Sequence, residues 1–432
     1  MKYLYVGFAL LLVSCTTLTE QRETYIAYYQ AGEIETSECL LDQTIEKEIP
    51  EENYTKSYDS VLLISDRAIL NFQRGKTKEA LEDFNLALDA LDYYQNITLI
   101  DTVAQILSED INCPFTGDDY EQLLIRLYFA FTLIHEGDYS NAYAILRQAE
   151  EWSQDRQALY QHSPVTASLK VYENPLAKYV FASLLEKRGD LSNAEILYRQ
   201  AECLSQGEFP VPEMDPKKAT FLFVNHNGNA PYRYTEFTDA SQVSLLALEF
   251  FLNASRDSFA ISSIYGLPTP ALAYYPESYP IRTCVRLNQN MLPLKPIFSV
   301  DFAAQRELQE KMPIVVARGA ARFILRRSMV AYAGRQDPAL GLVCDVGMLI
   351  ANARTEADTR SLSFLPRQYE LARVNLDPGC YFIEIEVWTP FGPGIYKAKL
   401  NIPKNELVVI HQFNIHPGIS RILIPTRYLE NP

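Results

Sequence analysis

Two patterns of apolar residues divide this chain: a helical repeat through the first half and a strand-like alternation toward the end. Three segments share the repeat: AILNFQRGKTKEALEDFNLA (Ala68 to Ala87), AFTLIHEGDYSNAYAILRQA (Ala130 to Ala149) and ASLLEKRGDLSNAEILYRQA (Ala182 to Ala201). Counted from Gly75, Gly137 and Gly189, an alanine stands seven before (Ala68, Ala130, Ala182) and another five after (Ala80, Ala142, Ala194). A large apolar residue follows at nine (Phe84, Leu146, Tyr198) and a third alanine at twelve (Ala87, Ala149, Ala201). An antiparallel helix pair explains each position. Small side chains let the two axes approach, the glycine relieves the backbone where the first helix stops, and the large residue fills the space between neighbouring pairs.

The stretch Ser205 to Ala219 (SQGEFPVPEMDPKKA), with three prolines, reads as the linker that ends the helical region. Strand-like segments follow at Thr220 to Val224, Ile281 to Leu287 and Ile297 to Val300, and the prolines between Gly266 and Pro296 exclude a long helix there. A helical pattern resumes at Asp301, with an interruption expected at Pro313 and an end near Gly334. From Glu370 the chain reads strand, turn, strand: ELARVNL, a turn at Asp377-Pro378-Gly379, CYFIEIEVW, a turn at Gly392-Pro393-Gly394, IYKAKLNI and ELVVIHQFNI. The alternation in CYFIEIEVW turns one face inward, as in an antiparallel sandwich or small sheet. The expected fold class is α+β, with a helical domain over 15–204, a linker over 205–219, a mixed α/β region over 220–369 and an antiparallel β region over 370–432.

The Ala, Gly-Asp-Tyr, Ala, aromatic, Ala order resembles the tetratricopeptide repeat (TPR). The glycines are 62 and 52 residues apart, against a regular period of about 34, so extra helices must fill the gaps, one of them over Ile97 to Leu107. The result is a short, irregular α-solenoid. Such stacks present a concave groove for a peptide or protein segment. The competing reading is a spacer whose groove touches only its own C-terminal domain.

At the N-terminus, Tyr3 to Val13 is apolar behind a single Lys2, shorter than the roughly 20 residues a spanning helix needs. It reads as a signal h-region within residues 1–14. Leu12-Val13-Ser14-Cys15 resembles the lipobox of bacterial lipoproteins, which implies that Cys15 is freed and acylated. More than one acyl chain holds a protein stably where a single chain does not. The alternative is an ordinary cleaved signal with an incidental cysteine. Thr16 stands where a retention aspartate would, which leans toward an outer-membrane address.

Composition narrows the classes. At 432 residues the chain is long enough for two or three domains, and 48% hydrophobic with 22% charged residues describes an ordinary folded protein. A net charge of -15 argues against nucleic acid and against a broad electrostatic grip on anionic lipid. Beyond Cys15, six cysteines (Cys39, Cys113, Cys203, Cys284, Cys344, Cys380) form no C-x-x-C pair, which speaks against a structural zinc site. Some could pair in an oxidising envelope, but isolated thiols are the simpler reading.

Catalytic chemistry finds little footing. The histidines are at 135, 162, 226, 411 and 416, and His411 and His416, five apart on a strand, point to opposite faces. No H-E-x-x-H, G-x-S-x-G, phosphate loop or dinucleotide glycine pattern occurs. No metal, cofactor or enzymatic activity is called for. One charged feature stands out: Arg318, Arg322, Arg326, Arg327 and Arg335, with no acidic residue among them. The first three lie along one side of a helix as a candidate anion site, since guanidinium forks match phosphate and carboxylate. The alternative is pairing with Asp301, Asp345 or Asp358. Arg360 with Asp358 is read in the same two ways, as an anion site or as an ion pair, and the pair is the expected one.

FLFVNHNGNAPYR, DTRSLSFLP (Asp358 to Pro366) and ARVNLDPGCYFIEI, taken with Cys15 and the repeats, resemble landmarks of an uncharacterised family of bacterial TPR-containing lipoproteins. Leu362 stands where that family would carry a tryptophan. The resemblance implies an envelope role and supplies no catalytic residue. Together the readings describe a lipid-anchored, non-catalytic envelope scaffold whose groove holds a protein or peptide partner, with the membrane reached through the anchor. The alternative is a glycan- or anion-binding module or enzyme in the C-terminal region.

Overall fold

The computed structural model describes residues 17–50, 54, 56–98, 113–162, 164, 166–237, 268–275, 282–337, 344, 356–389, 392–416 and 419–430. Cys15, the 1–14 stretch and most of the Ile97–Leu107 helix expected from the sequence lie outside them. The helical half is built of pairs: α1 (Leu18–Gln30) with α2 (Ile34–Glu48), α3 (Ser60–Arg74) with α4 (Thr77–Thr98), α5 (Asp119–Glu136) with α6 (Tyr139–His162), and α7 (Pro175–Lys187) with α8 (Leu191–Leu204). The last three pairs are the three repeats read from the sequence. The first pair also turns on a glycine, Gly32 at φ +83°, with buried Leu41 nine residues on, but it has Tyr25, Ser37 and Thr44 where the three repeats have alanine.

Local chemistry sets the ends of these helices. Thr17 and Glu20 form a reciprocal cap on α1, Asp118 and Glu121 one on α5, and Asn174 caps α7 ahead of Pro175. Gly75 ends α3 at φ +77°, in the left-handed region where a side chain would be strained. Its amide and that of Lys76 return to the carbonyls of Phe72 and Asn71, at 2.9 Å each. The alanines at the crossings are buried throughout: Ala68, Ala80, Ala87, Ala130, Ala142, Ala149, Ala182, Ala194 and Ala201. So are Phe84, Leu146 and Tyr198 between pairs, with Phe84 stacked on Phe129 at 5.6 Å.

The second half holds β1 (Ala219–Asn227), β2 (Tyr232–Phe237), β3 (Pro268–Ala273), β4 (Arg282–Leu287), β5 (Asn290–Leu292), β6 (Lys295–Ser299), α9 (Val300–Gln336), β7 (Gln368–Leu376), β8 (Gly379–Thr389), β9 (Gly392–Ile402), β10 (Leu407–His416) and β11 (Ile419–Leu423). One sheet runs β11-β10-β1-β7-β6, a second runs β5-β4-β8-β9, and β2 and β3 form a ribbon. The first sheet is mixed, because β1 is parallel to β10 and antiparallel to β7. The expected boundary between 369 and 370 therefore separates nothing: β1 lies between two strands from beyond it, and β4 pairs with β8.

The described residues stack in three layers. Phe221, Phe223, Ala372, Val408 and Ile410 on one face of the five-stranded sheet pack against Val285, Ile383, Ile385 and Leu400 of the four-stranded sheet. Leu222, Val224, Tyr369, Leu371, Val409 and Phe413 on the other face join the core of the helices. A strand covered on both faces must be apolar at nearly every position, which is why ATFLFVNHN lacks a clean alternation. The segment Ser205–Lys218 is docked rather than loose, with Phe209 buried and the Asp215 amide donating to Glu186 at 3.2 Å.

Pro313 does not break the long helix, which runs unbroken from Val300 to Gln336. The proline removes one backbone hydrogen bond, but it sits on an exposed position where water can take the released carbonyl.

Candidate functional site: the inner face of the helical repeat

The repeat directs attention to the face lined by the first helix of each pair, α1, α3, α5 and α7. That face is occupied by the chain itself. Residues Arg360 to Leu365 run along it, all but the half-buried Ser363 buried, and polar side chains of the helices hold their backbone. Arg22 of α1 donates to the Ser361 carbonyl at 2.5 Å, and Gln73 of α3 donates to the Phe364 carbonyl at 2.9 Å. The Ser363 amide and hydroxyl donate to the two oxygens of Asp66 at 2.8 and 2.6 Å, and the Leu362 amide donates to Glu121 at 2.7 Å. Phe364 packs its ring on α1, 4.6 Å from Tyr29 and 5.8 Å from Tyr25. This is how a helical groove grips an extended peptide: side chains satisfy its main chain and a pocket takes its aromatic ring.

Burial shapes the charges here. It pushes the Asp66 carboxyl up to about 6 against the pull of Arg22 and the Ser363 bonds. Burial, with Asp118 adding to it, raises Glu121 to about 7. At the start of α5, Glu307 of α9 accepts the Asp119 and Tyr120 amides at 2.7 and 3.2 Å, and burial lifts it to about 8 despite Lys311. Asp118 goes the other way: burial opposes its charge, but Arg233 and Lys311 hold it down at about 2. The cluster ties β2 and α9 to the helices. Arg360 pairs with Asp358 at 2.8 Å and Asp59 at 2.9 Å, fixing the entry of the segment.

Further along, the five-stranded sheet fills the same face. His226 of β1 and His411 of β10 face each other with Nε2 and Nδ1 at 3.0 Å, and Tyr128 of α5 bonds His226 Nδ1 at 3.1 Å. Phe72, Phe131 and Phe413 surround them at ring distances of 4.3–6.3 Å. Burial lowers His226 to about 3 and His135 to about 4; burial and the two neighbouring imidazoles hold His411 well below its ordinary value. Near the end of α7, Glu186 is fully buried and accepts from Arg373 at 2.7 Å and Tyr198 at 2.9 Å. Gly75 and Gly137 abut Leu423 and Arg427.

The sequence singled out the packing residues and the Arg360–Asp358 pair, and missed the other polar ones. Their one trace is a charge inside an apolar run, Asp66 within VLLISDRAILNF. The His226–His411 contact has no sequence signal, because it depends on β1 pairing with a strand 185 residues away. In the arginine set, Arg318 and Arg335 are exposed and Arg322 half-buried, while the side chain of Arg326 lies outside the described residues. Two acids that could have paired with the set are taken: Asp301 by Arg367 at 2.6 Å and Asp358 by Arg360. Asp345 lies outside the described residues. Cys39, Cys203, Cys284, Cys344 and Cys380 are free thiols.

No family model matches the chain, and no curated protein matches it. Among solved structures, the putative kinesin light chain of Podosopora anserina, with nearly identical TPR-like repeats, is similar over 43% of this chain and 94% of its own, at 14% identity and a TM-score of 0.22. A point variant of that protein gives the same score and identity over 44% of this chain. A score of this size says nothing about how the layers are arranged.

Proposed function

We propose that the protein is a lipid-anchored, non-catalytic scaffold of the bacterial cell envelope, held through Cys15, that receives a protein partner on the outer surface of its helical repeats. The observation that carries this reading is the occupied inner face. With Ser361–Leu365 and the five-stranded sheet seated there, a partner is left the second helices of each pair. Leu159 of α6 and Ile196 of α8 stand out from that surface, 53% and 52% exposed. The Leu12–Cys15 motif supports the anchor, and the repeats support the scaffold. Among the described residues no group of three or more His, Cys, Asp or Glu is placed to hold a metal, and no helix is long and apolar enough to cross a membrane.

The test is photo-cross-linking in living cells from a probe at Ile196, compared with one at Leu362, in full-length and Cys15→Ala chains. A defined envelope protein captured from Ile196, only in the acylated chain, supports the proposal. Capture from Leu362 instead, or an unmodified Cys15 by mass spectrometry of the mature N-terminus, removes it.

A further inference from the structure

The half of α9 that follows Pro313 is used by none of the contacts above. Its near half is built into the fold: Val300, Ala303, Ala304, Glu307 and Leu308 are buried, and Lys311 reaches Asp118 at 3.1 Å. Past Leu308 no described residue of the helix is buried, and among the described residues Ile314 is the last to pack on an apolar cluster, the one around Tyr160 and Leu169. Beyond it Arg318 and Arg335 are exposed, and Tyr332 is 67% exposed. Between Glu310 and Asp337 the sequence has five arginines and no acid, in a chain of net charge -15.

We propose that α9 from Pro313 to Gln336 is a contact surface for an anionic phospholipid bilayer. Two properties of the segment select that occupant together. The guanidinium groups of the exposed Arg318 and Arg335 match lipid phosphates in charge and fork geometry. Half-exposed Val315 and exposed Tyr332, on the same side of the helix as Arg318, fit the boundary between headgroups and acyl chains. A soluble polyanion would satisfy the first property and leave the second without purpose. A second copy of the helix would bring arginine against arginine. The contact is independent of acylation at Cys15, so the two readings fail separately.

The chain from Thr16 to Pro432 keeps every described residue and lacks both the apolar leader and the lipid site. It is incubated with vesicles of phosphatidylcholine alone and with vesicles rich in phosphatidylglycerol, then sedimented. Binding is expected to the anionic vesicles only, falling with added salt. Each arginine near a charged surface contributes about 1 kcal/mol, so Arg318→Ala with Arg335→Ala should weaken binding about thirtyfold. Both positions are exposed, and unchanged melting of the double variant shows that the fold is retained. Equal binding to the two vesicle types, undiminished binding by the double variant, or binding of inorganic polyphosphate without vesicle binding would each overturn the proposal.

Discussion

Phe364→Ala tests whether the segment across the helical face is part of the core or a strap laid over it. The ring is 1% exposed and packs between Tyr25 and Tyr29, themselves buried, while its carbonyl accepts from Gln73. Truncating a phenylalanine in such a site removes its transfer free energy and leaves a cavity, together about 3–5 kcal/mol. The pocket cannot collapse easily, because Tyr29 is held by its hydroxyl on Gln73 at 2.7 Å and Tyr25 by Asp66 at 3.1 Å. The upper part of that range is therefore expected. Urea unfolding followed by far-UV and near-UV circular dichroism should show both transitions moving together to lower urea. A loss under about 1 kcal/mol, well below the range for a buried ring, would mean the segment is not packed as described. So would new protease cleavage near Ser361 without a shift in midpoint.

Three further outcomes follow from the same geometry. The unfolded chain protonates its imidazoles near pH 6.5, while burial holds His226 at about 3, so stability from this group is present above pH 6.5 and lost as pH falls toward 3. Asp66, Glu121 and Glu307, raised by burial, act in the opposite sense, so the clean readout is a difference: His226→Phe should flatten the fall between pH 6 and 4.5 by about 1.4 kcal/mol per unit. An unchanged slope would remove the buried-neutral assignment. Gly75→Ala should destabilise more than Gly189→Ala, since both have positive φ but an added Cβ meets Leu423 at 3.3 Å only at Gly75; the strain alone costs about 1–2 kcal/mol. Glu186→Ala strands Arg373 in a buried site and should cost about 3–5 kcal/mol in thermal or urea unfolding.

The helix pairs were legible because their determinants are local. Gly75, Gly137 and Gly189 mark where a helix stops, and the alanines around them mark where two helices touch. The strand segments were legible for the same reason, since Val285 and Ile385 belong to stretches with their own alternation. What covered the repeat was not legible. The parallel pairing of β1 with β10 joins residues nearly two hundred positions apart, such as Phe221 with Val408, and neither strand carries a mark of its partner. ATFLFVNHN shows that both its faces are buried without showing against what. DTRSLSFLP looks like a turn, and only Asp66, Glu121, Arg22 and Gln73 make it the occupant of a groove. Pro313 misled for a physical reason as well: a helix tolerates a proline where the freed carbonyl meets water.

The central claim is that the inner face of the repeat is filled by the chain itself and that helices and sheets form one core. Amide hydrogen exchange of the native protein, resolved at Leu362 and Ser363, tests it most directly. The amides donate to Glu121 and Asp66 in the helical layer, so they should exchange only with the global opening that exposes α3 and α5. Exchange at these two positions many times faster than in α3 and α5, with those helices still protected, would show a groove that opens to other ligands and would contradict the account.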